Sequence, residues 1–314
     1  MLQMSSKVIL ITGGTSGLGL AAARECLTKG HTVVITGRNE ASLKKASKQI
    51  LKNLDLTNKL YTILLDLNNL QSVREAAEQF KALKLPLNVL INNAGLTTPT
   101  LEFSSDCERV EKTIFVNAIS PLYFTHLLFP LFDKTSRGRI IWISSSLHDP
   151  KISGGRVSAL SAMPETVDFD NLDGHIVWDS MLFYKLSKLG NVWISNILNE
   201  QLLLSEDNNN VSTIAICPGF VPTTALSRNS PWILQMGLRY VLSLMSFTTS
   251  EAQAAADYEY YATTPDLEAV SGKFLKKREL SEGSEESKDL TKAKRFWDLA
   301  CEITGIPKNA KWTN

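Results

Sequence analysis

Short runs of apolar, largely β-branched residues alternate along this chain with longer stretches in which apolar side chains recur every three or four positions. Residues 8–12, 32–36, 60–65 and 89–91 are such runs, and each is followed by a helical pattern. That rhythm predicts βαβ units and a parallel sheet. Residues 139–143 and 211–217 continue the series and are almost wholly apolar, as strands covered on both faces are. An edge strand is expected near residues 273–275. The predicted fold class is α/β, with a doubly wound parallel sheet. No Pro/Gly/Ser-rich linker, internal repeat or low-complexity tract divides the chain, so residues 1–314 read as a single domain. Insertions stand near 147–183 and 224–249, followed by a C-terminal extension over 276–314. Substrate choice is expected to reside in these segments. Residues 276–295 carry charges of both signs and read as a solvated loop entering a last helix around Phe296 and Trp297.

Composition narrows the class. With 44% hydrophobic and 21% charged residues, the chain has enough apolar material for a core, which excludes a disordered or fibrous protein. Thirty-three basic against 32 acidic residues leave a net charge of +1, so no global field draws the protein to nucleic acid, and no nucleic-acid partner is expected. Cys26, Cys107, Cys217 and Cys301 form neither a CxxC pair nor a disulfide framework. A reducing, cytoplasmic setting is the simpler expectation. No signal-peptide pattern and no run of 18 uninterrupted apolar residues occurs. His31, His126, His148 and His175 match no metal pattern, and no metal is expected.

The first run leads into Thr12-Gly13-Gly14-Thr15-Ser16-Gly17-Leu18-Gly19, with a helix predicted over 20–30. Glycines between a strand and a helix N-terminus expose backbone N–H groups to a pyrophosphate. Gly13 permits the sharp turn, Gly17 removes a Cβ that would hold the ligand off, and Gly19 lets the helix pack closely. Ser16 and Leu18 lie on the same loop. The chain therefore reads as a Rossmann-type dinucleotide fold. At the end of the second run, where a carboxylate would take a ribose 2′-hydroxyl, stand Gly37 and Arg38. The planar fork of Arg38 suits a 2′-phosphate, so NADP(H) is the expected cofactor. Capture of Arg38 by nearby Glu40 is the competing outcome. Asp66-Leu67 and Asn92-Asn93-Ala94-Gly95 end the third and fourth runs at the same crevice. Asp66 is expected to accept from the adenine amino group, and Asn93 and Gly95 to support the ribose side. Helix capping is the alternative for these Asx residues.

Tyr184 and Lys188 stand four apart at the start of a long helical pattern and so share a face. A phenol with a pKa of about 10 is a poor acid–base group near neutrality. A cation about 4 Å away at an effective dielectric near 20 is worth roughly 4 kcal/mol, or about three pKa units, and Lys188 is expected to bring Tyr184 into range. Such pairs are common in structural helices. What singles this one out is its company, Ser144-Ser145-Ser146 at the end of the fifth run and Asn117 in the helix after Gly95.

With TGxxxGxG at 12–19, NNAG at 92–95, the serine strand, YxxxK at 184–188 and PG at 218–219, in that order, the chain resembles the short-chain dehydrogenase/reductases. The resemblance covers nearly the whole chain. It implies that Ser145 orients a substrate carbonyl, that Tyr184 donates the proton, that Lys188 lowers the tyrosine pKa and holds the ribose, and that Asn117 positions a water. Pro218, Gly219, Val221 and Thr223 are expected to carry the nicotinamide carboxamide; a simple strand-ending turn is the alternative. Strand register favours Ser145 over Ser144 and Ser146. Ser145 and Tyr184 are 39 residues apart, farther than in the shorter members of the family. With YKLSKLGN at 184–191 and Phe296-Trp297-Asp298, this spacing is similar to the retinol dehydrogenase and protochlorophyllide reductase-like branch, whose members handle bulky, apolar carbonyls.

The expected activity is NADP(H)-dependent interconversion of a small-molecule carbonyl and its alcohol. The alternatives are a sterol or other lipid ketone reductase of the same family, or a non-catalytic NADP(H)-binding regulator, against which the intact Asn117, Ser145, Tyr184 and Lys188 argue. Residues 231–247 are mostly apolar, with Gln235, Arg239, Ser243 and Ser246 forming a narrow polar stripe. A helix of this kind covers a substrate pocket as a lid, pairs subunits into a homodimer, or lies on a membrane or lipid droplet. The lone Arg239, without flanking lysines, counts against the last.

Overall fold

The computed structural model describes residues 6–152, 163–204, 210–219, 221, 249–307 and 310–313. Strands β1 (Val8–Ile11), β2 (Thr32–Gly37), β3 (Leu60–Leu64), β4 (Val89–Asn92), β5 (Gly138–Ile143), β6 (Val211–Cys217), β7 (Lys273–Lys276) and β8 (Glu279–Ser281) form one sheet in the order β3-β2-β1-β4-β5-β6-β7-β8. Every neighbouring pair is parallel except β7 and β8. The strand order reverses between β1 and β4, which opens a crevice at their carboxyl ends, the usual place for a ligand in such a sheet.

The period-two alternation of a strand sends neighbouring apolar side chains to opposite faces. Ile9, Ile11, Val33, Ile35, Ile141 and Ile214 join a core with α1 (Gly17–Thr28), α2 (Glu40–Ile50) and α7 (Glu251–Thr263). Val8, Leu10, Val34, Leu90, Ile140 and Trp142 face the opposite core. That side is built by α3 (Leu70–Ala82), by α4 (Lys112–Ile114), which runs through a π-helical turn (Phe115–Ile119) into α5 (Ser120–Leu128), by α6 (Ser180–Leu204) and by α9 (Leu290–Thr304). Both faces of the strands are covered, which is why their sequences read as unbroken apolar runs.

Two expectations are corrected. The edge of the sheet is β8 rather than β7. The two join through Lys277 and Arg278, both with positive φ (52° and 65°), as a type I′ hairpin turn requires. Nor is the charge-rich stretch before Phe296 a solvated loop. It holds β8, α8 (Glu285–Lys288) and the first turn of α9, with Ser284, Glu286 and Ser287 buried. Ser284 and Asp289 cap the two helices by accepting from the backbone N–H groups of Ser287 and Lys292.

α9 lies along α6, and Phe296 fills the space left by Gly190, where a Cβ would come within 2.9 Å of its ring. Trp297 and Trp312 continue the seam, and Trp312 meets the rings of His126 and Phe129 edge-on. Subunit pairing through this side of α6 would have to displace α9. Lys112–Leu131 is long and apolar enough to cross a membrane by length and composition, and 78% of its apolar window is buried inside the fold. The apolar stretch 231–247 lies outside the described residues.

Because Phe296 is buried at the α6 seam, Phe296→Ala is expected to cost about 3 kcal/mol through lost burial and an incompletely closed cavity. Urea unfolding measures this; a loss under about 0.5 kcal/mol would mean that α9 does not carry the seam.

Candidate active site

β1 passes into α1 through the glycine loop. Gly13 (φ +69°) and Gly17 (φ +54°) occupy the left-handed region, and a Cβ on Gly17 would meet no atom within 4 Å, so this position faces open space beside the helix N-terminus. Ser16, the N-cap of α1, makes no side-chain capping bond, and the first turn holds no acidic residue. The first-turn N–H groups are thus left for an anion. This open, uncapped cradle fits the pyrophosphate of a nicotinamide dinucleotide. Gly19 serves the loop itself, since a Cβ there would strike the Gly13 carbonyl oxygen and Asn93 Nδ2.

The NNAG segment supports the loop from below. The backbone N–H groups of Asn93 and Ala94 donate to Thr12 Oγ1 at 2.9 and 3.0 Å. Asn93 Nδ2 donates to the Thr12 carbonyl at 2.7 Å, and its Oδ1 accepts from the Tyr258 hydroxyl at 2.9 Å. Asn93 is therefore a tie between β1, β4 and α7 and not a helix cap. A Cβ at Gly95 would press on the Asn117 side chain at 3.2 Å.

At the end of β2 a side chain at Gly37 would run into Thr15 and Leu43, which keeps a carboxylate out of that position. Arg38 is exposed, and no contact with Glu40 holds it. Asn39 caps α2 by accepting from Ser42 N at 2.8 Å. Asp66 Oδ1 accepts from Asn68 N at 3.0 Å in a local turn, which leaves its other oxygen for a ligand. Leu67 is buried.

The remaining candidates meet at the carboxyl ends of β5 and β6. Ser144 is buried and donates to the Lys188 carbonyl at 2.7 Å, and Ser146 donates to Cys217 Sγ at 3.3 Å. Ser145 Oγ accepts from Leu147 N at 3.2 Å and donates to no atom among the described residues. Lys188 Nζ donates to the Ile143 carbonyl at 2.9 Å and lies 5.4 Å from the centre of the Tyr184 ring. Asn191 Nδ2 donates to the same carbonyl at 3.0 Å. Asn117 sits in the π-helical turn, a feature that concentrates at functional sites. Its amide accepts from Leu96 N and donates to Leu96 O and to Ser187 Oγ, and Ser187 in turn donates to the Tyr184 carbonyl at 2.7 Å. Gly219 turns the chain with φ +84° at the end of β6, and Val221 is buried. Thr223 lies outside the described residues.

The expected electrostatics of the pair are corrected. Burial, with the Cys217 thiol adding in the same direction, pushes the Tyr184 phenol up. Burial also brings Lys188 down to about 8. In the protein by itself desolvation outweighs the lysine's pull on the tyrosine. A phenol, an ammonium on the same helix and a serine hydroxyl with its proton free can nonetheless orient a carbonyl and protonate its oxygen. Sequence reasoning missed Thr12, Ser187 and Tyr258. Ser187 lay in plain view inside YKLSK, whereas Tyr258 reaches Asn93 across 165 residues and has no local signal.

A family model described as short chain dehydrogenase matches residues 7–157. The chain is 32% identical to the short-chain dehydrogenase TIC 32 B, chloroplastic, of Brassica napus, over 94% of this chain and 87% of that one. It is 30% identical to polyprenol dehydrogenase of Danio rerio, over 97% and 88%, and 28% identical to human retinol dehydrogenase 11, over the same shares. A crystal structure of an uncharacterized protein from Mycobacterium paratuberculosis superposes with a TM-score of 0.69 at 24% identity, covering 96% of each chain, and shares the fold. Glycine cradle, serine strand and tyrosine–lysine helix thus stand within a chain that matches these relatives almost end to end, and the protein belongs to the short-chain dehydrogenase/reductase family of nicotinamide-dependent oxidoreductases, in its retinol dehydrogenase-like branch.

Proposed function

We propose that the protein interconverts an apolar, bulky aldehyde or ketone and its alcohol with NADP(H), using Tyr184 as the acid–base group. The observation that carries this reading is the convergence at β5. One strand end supplies Ser145, and the carbonyl two residues before it anchors Lys188 under the Tyr184 ring. The bound nicotinamide supplies the hydride in reduction and accepts it in oxidation. Ser145 donates a hydrogen bond from its free hydroxyl to the substrate oxygen and orients the carbonyl. Tyr184 hands its phenolic proton to that oxygen as the alcohol forms and takes it back in the reverse direction. Lys188 would hold the ribose, and its ammonium beside the tyrosine favours the phenolate that proton transfer leaves. Asn117, held by Leu96 and Ser187, keeps the tyrosine's turn in register and is the candidate to position a water. The names of the retinol and polyprenol dehydrogenases support an apolar, isoprenoid-like alcohol as the substrate class.

Turnover of NADPH with nonanal, all-trans-retinal and a 3-ketosteroid tests the chemistry and separates retinoid-like from sterol-like preference. Tyr184→Phe is expected to lower kcat by roughly 10²- to 10⁴-fold with the NADPH Kd within about twofold of wild type. Retention of turnover in the phenylalanine variant would remove Tyr184 from the reaction.

Arg38 carries the choice of NADP(H). Losing its charge-assisted bonds to a 2′-phosphate is worth about 1.5–3 kcal/mol. Arg38→Asp is therefore expected to weaken NADPH by roughly ten- to a hundredfold and to favour NADH. Parallel titrations of both cofactors decide this, and an unchanged ratio would return the assignment to NAD(H).

Lys188 sets a pH dependence. Its ammonium is depressed to about 8 in the free protein, and contact with the anionic cofactor favours the charged form, so binding takes up a proton once the pH exceeds that value. NADPH affinity is expected to hold steady below pH 8 and to fall by up to about tenfold per unit above it. Calorimetric titration between pH 7 and 9.5 measures the slope, and a flat Kd would show that Lys188 does not sense the cofactor.

A further inference from the structure

His148 is completely buried in the short 3₁₀ turn Ser146–His148 that follows β5. Its ring is held on both nitrogens. Nδ1 lies 2.5 Å from the Ser145 carbonyl oxygen, and Nε2 lies 3.4 Å from Ser284 N. A carbonyl only accepts and a backbone N–H only donates, so these partners select the neutral ring with its proton on Nδ1. Burial also keeps the ring neutral by lowering its pKa. Phe274 of β7 packs edge-on against the ring at 4.9 Å and fixes its plane.

The far partner belongs to a segment that reaches several parts of the site. Ser284 caps α8. Two residues on, Glu286 accepts from Val167 N at 2.6 Å and pairs with Lys292, while its carbonyl accepts from Trp193 Nε1 of α6 at 2.9 Å. The Ser287 carbonyl accepts from Asn196 of the same helix. The turn that carries Ser145 and the helix that carries Tyr184 are thus both fastened to residues 284–287.

We propose that His148 is a positioning residue for Ser145: its ring joins the Ser145 carbonyl to the backbone of Ser284, so that the C-terminal segment sets where the Ser145 hydroxyl stands. This rests on the reading of Ser145 as the group that orients the substrate carbonyl. Ser145 Oγ has one local contact, with Leu147 N inside the same turn. Its place therefore follows from how the turn is held from outside, by Ser146 on Cys217 Sγ at the β6 end and by His148 on the C-terminal segment.

The test is a double-mutant cycle with NADPH and the fastest carbonyl among nonanal, all-trans-retinal and a 3-ketosteroid. His148→Asn places an amide N–H where Nδ1 stood, next to the Ser145 carbonyl, whereas His148→Gln places its amide nearer Ser284. Each variant breaks the bridge at one end, so we expect both His148→Gln and His148→Asn to lower kcat roughly tenfold with KM and NADPH Kd within about twofold. In a Ser145→Ala background, His148→Gln is expected to change kcat by less than about twofold, because the group it positions is gone. Losses that multiply in the double variant, or wild-type kcat in either single variant, would overturn the coupling. Unchanged turnover in Ser145→Ala alone, or no turnover of any of the three carbonyls by wild type, would overturn the reading of the site and this inference with it. Wild-type ¹⁵N correlation spectra at pH 7 check the geometry without any variant: a neutral Nδ1–H ring is expected, and an Nε2–H or charged ring would refute it.

Discussion

The site depends on a buried ammonium that no carboxylate neutralises among the described residues. Lys188 is held by a main-chain carbonyl, that of Ile143, which also accepts from Asn191, while Ser144 donates back to the Lys188 carbonyl. A desolvated charge demands close, well-aimed partners. These three bonds therefore fix the depth and rotation of α6 against the end of β5. Tyr184, one turn earlier on the same face, has its place decided by that docking, and so does the register that leaves Ser145 facing away from its two bonded neighbours. Asn117 reinforces the arrangement from the other side by joining the Leu96 loop to Ser187 and, through it, to the Tyr184 carbonyl.

Satisfying a cation with a neutral carbonyl has an electrostatic consequence. A carboxylate partner would have stabilised the charge of Lys188, but the carbonyl offsets only part of the desolvation, and the ammonium falls to about 8. A group poised so near neutrality responds strongly to whatever charge arrives beside it. The same burial raises Tyr184, so in the protein by itself the phenol is held neutral. Pairwise Coulomb reasoning from the sequence missed this because it counted the attraction between the two groups and left out the cost of taking both from water.

The sequence was most legible where burial was two-sided and local. The unbroken apolar runs located β1 to β7 to within a residue or two, and the glycine loop was readable because Gly13 and Gly17 need conformations that other residues resist. Legibility failed where distant contacts override local preference. The turn at Lys277 and Arg278 carries neither Asn nor Gly, yet both residues adopt positive φ. Arg278 is held there by the Tyr261 hydroxyl, the Asp257 carboxylate and the face of the Tyr260 ring, all from α7. The mixed charges of residues 276–295 looked solvated for a similar reason, since nothing local shows that Glu286 turns inward to meet Val167 and Lys292.

The same contrast divides the structure. The glycine loop and the strand ends around it are assembled from short-range signals, so their residues announce themselves. The side reached by the C-terminal segment is assembled by His148, Val167, Trp193 and Glu286, which are scattered over almost 140 positions. Glu286 is 6% exposed and its carboxylate is matched by Lys292 at 2.7 Å, so removing Lys292 would strand a carboxylate in the interior. Such a buried pair does less for overall stability than for uniqueness: it admits one seating of the segment and thereby one relation between the serine turn, Val167 and α6.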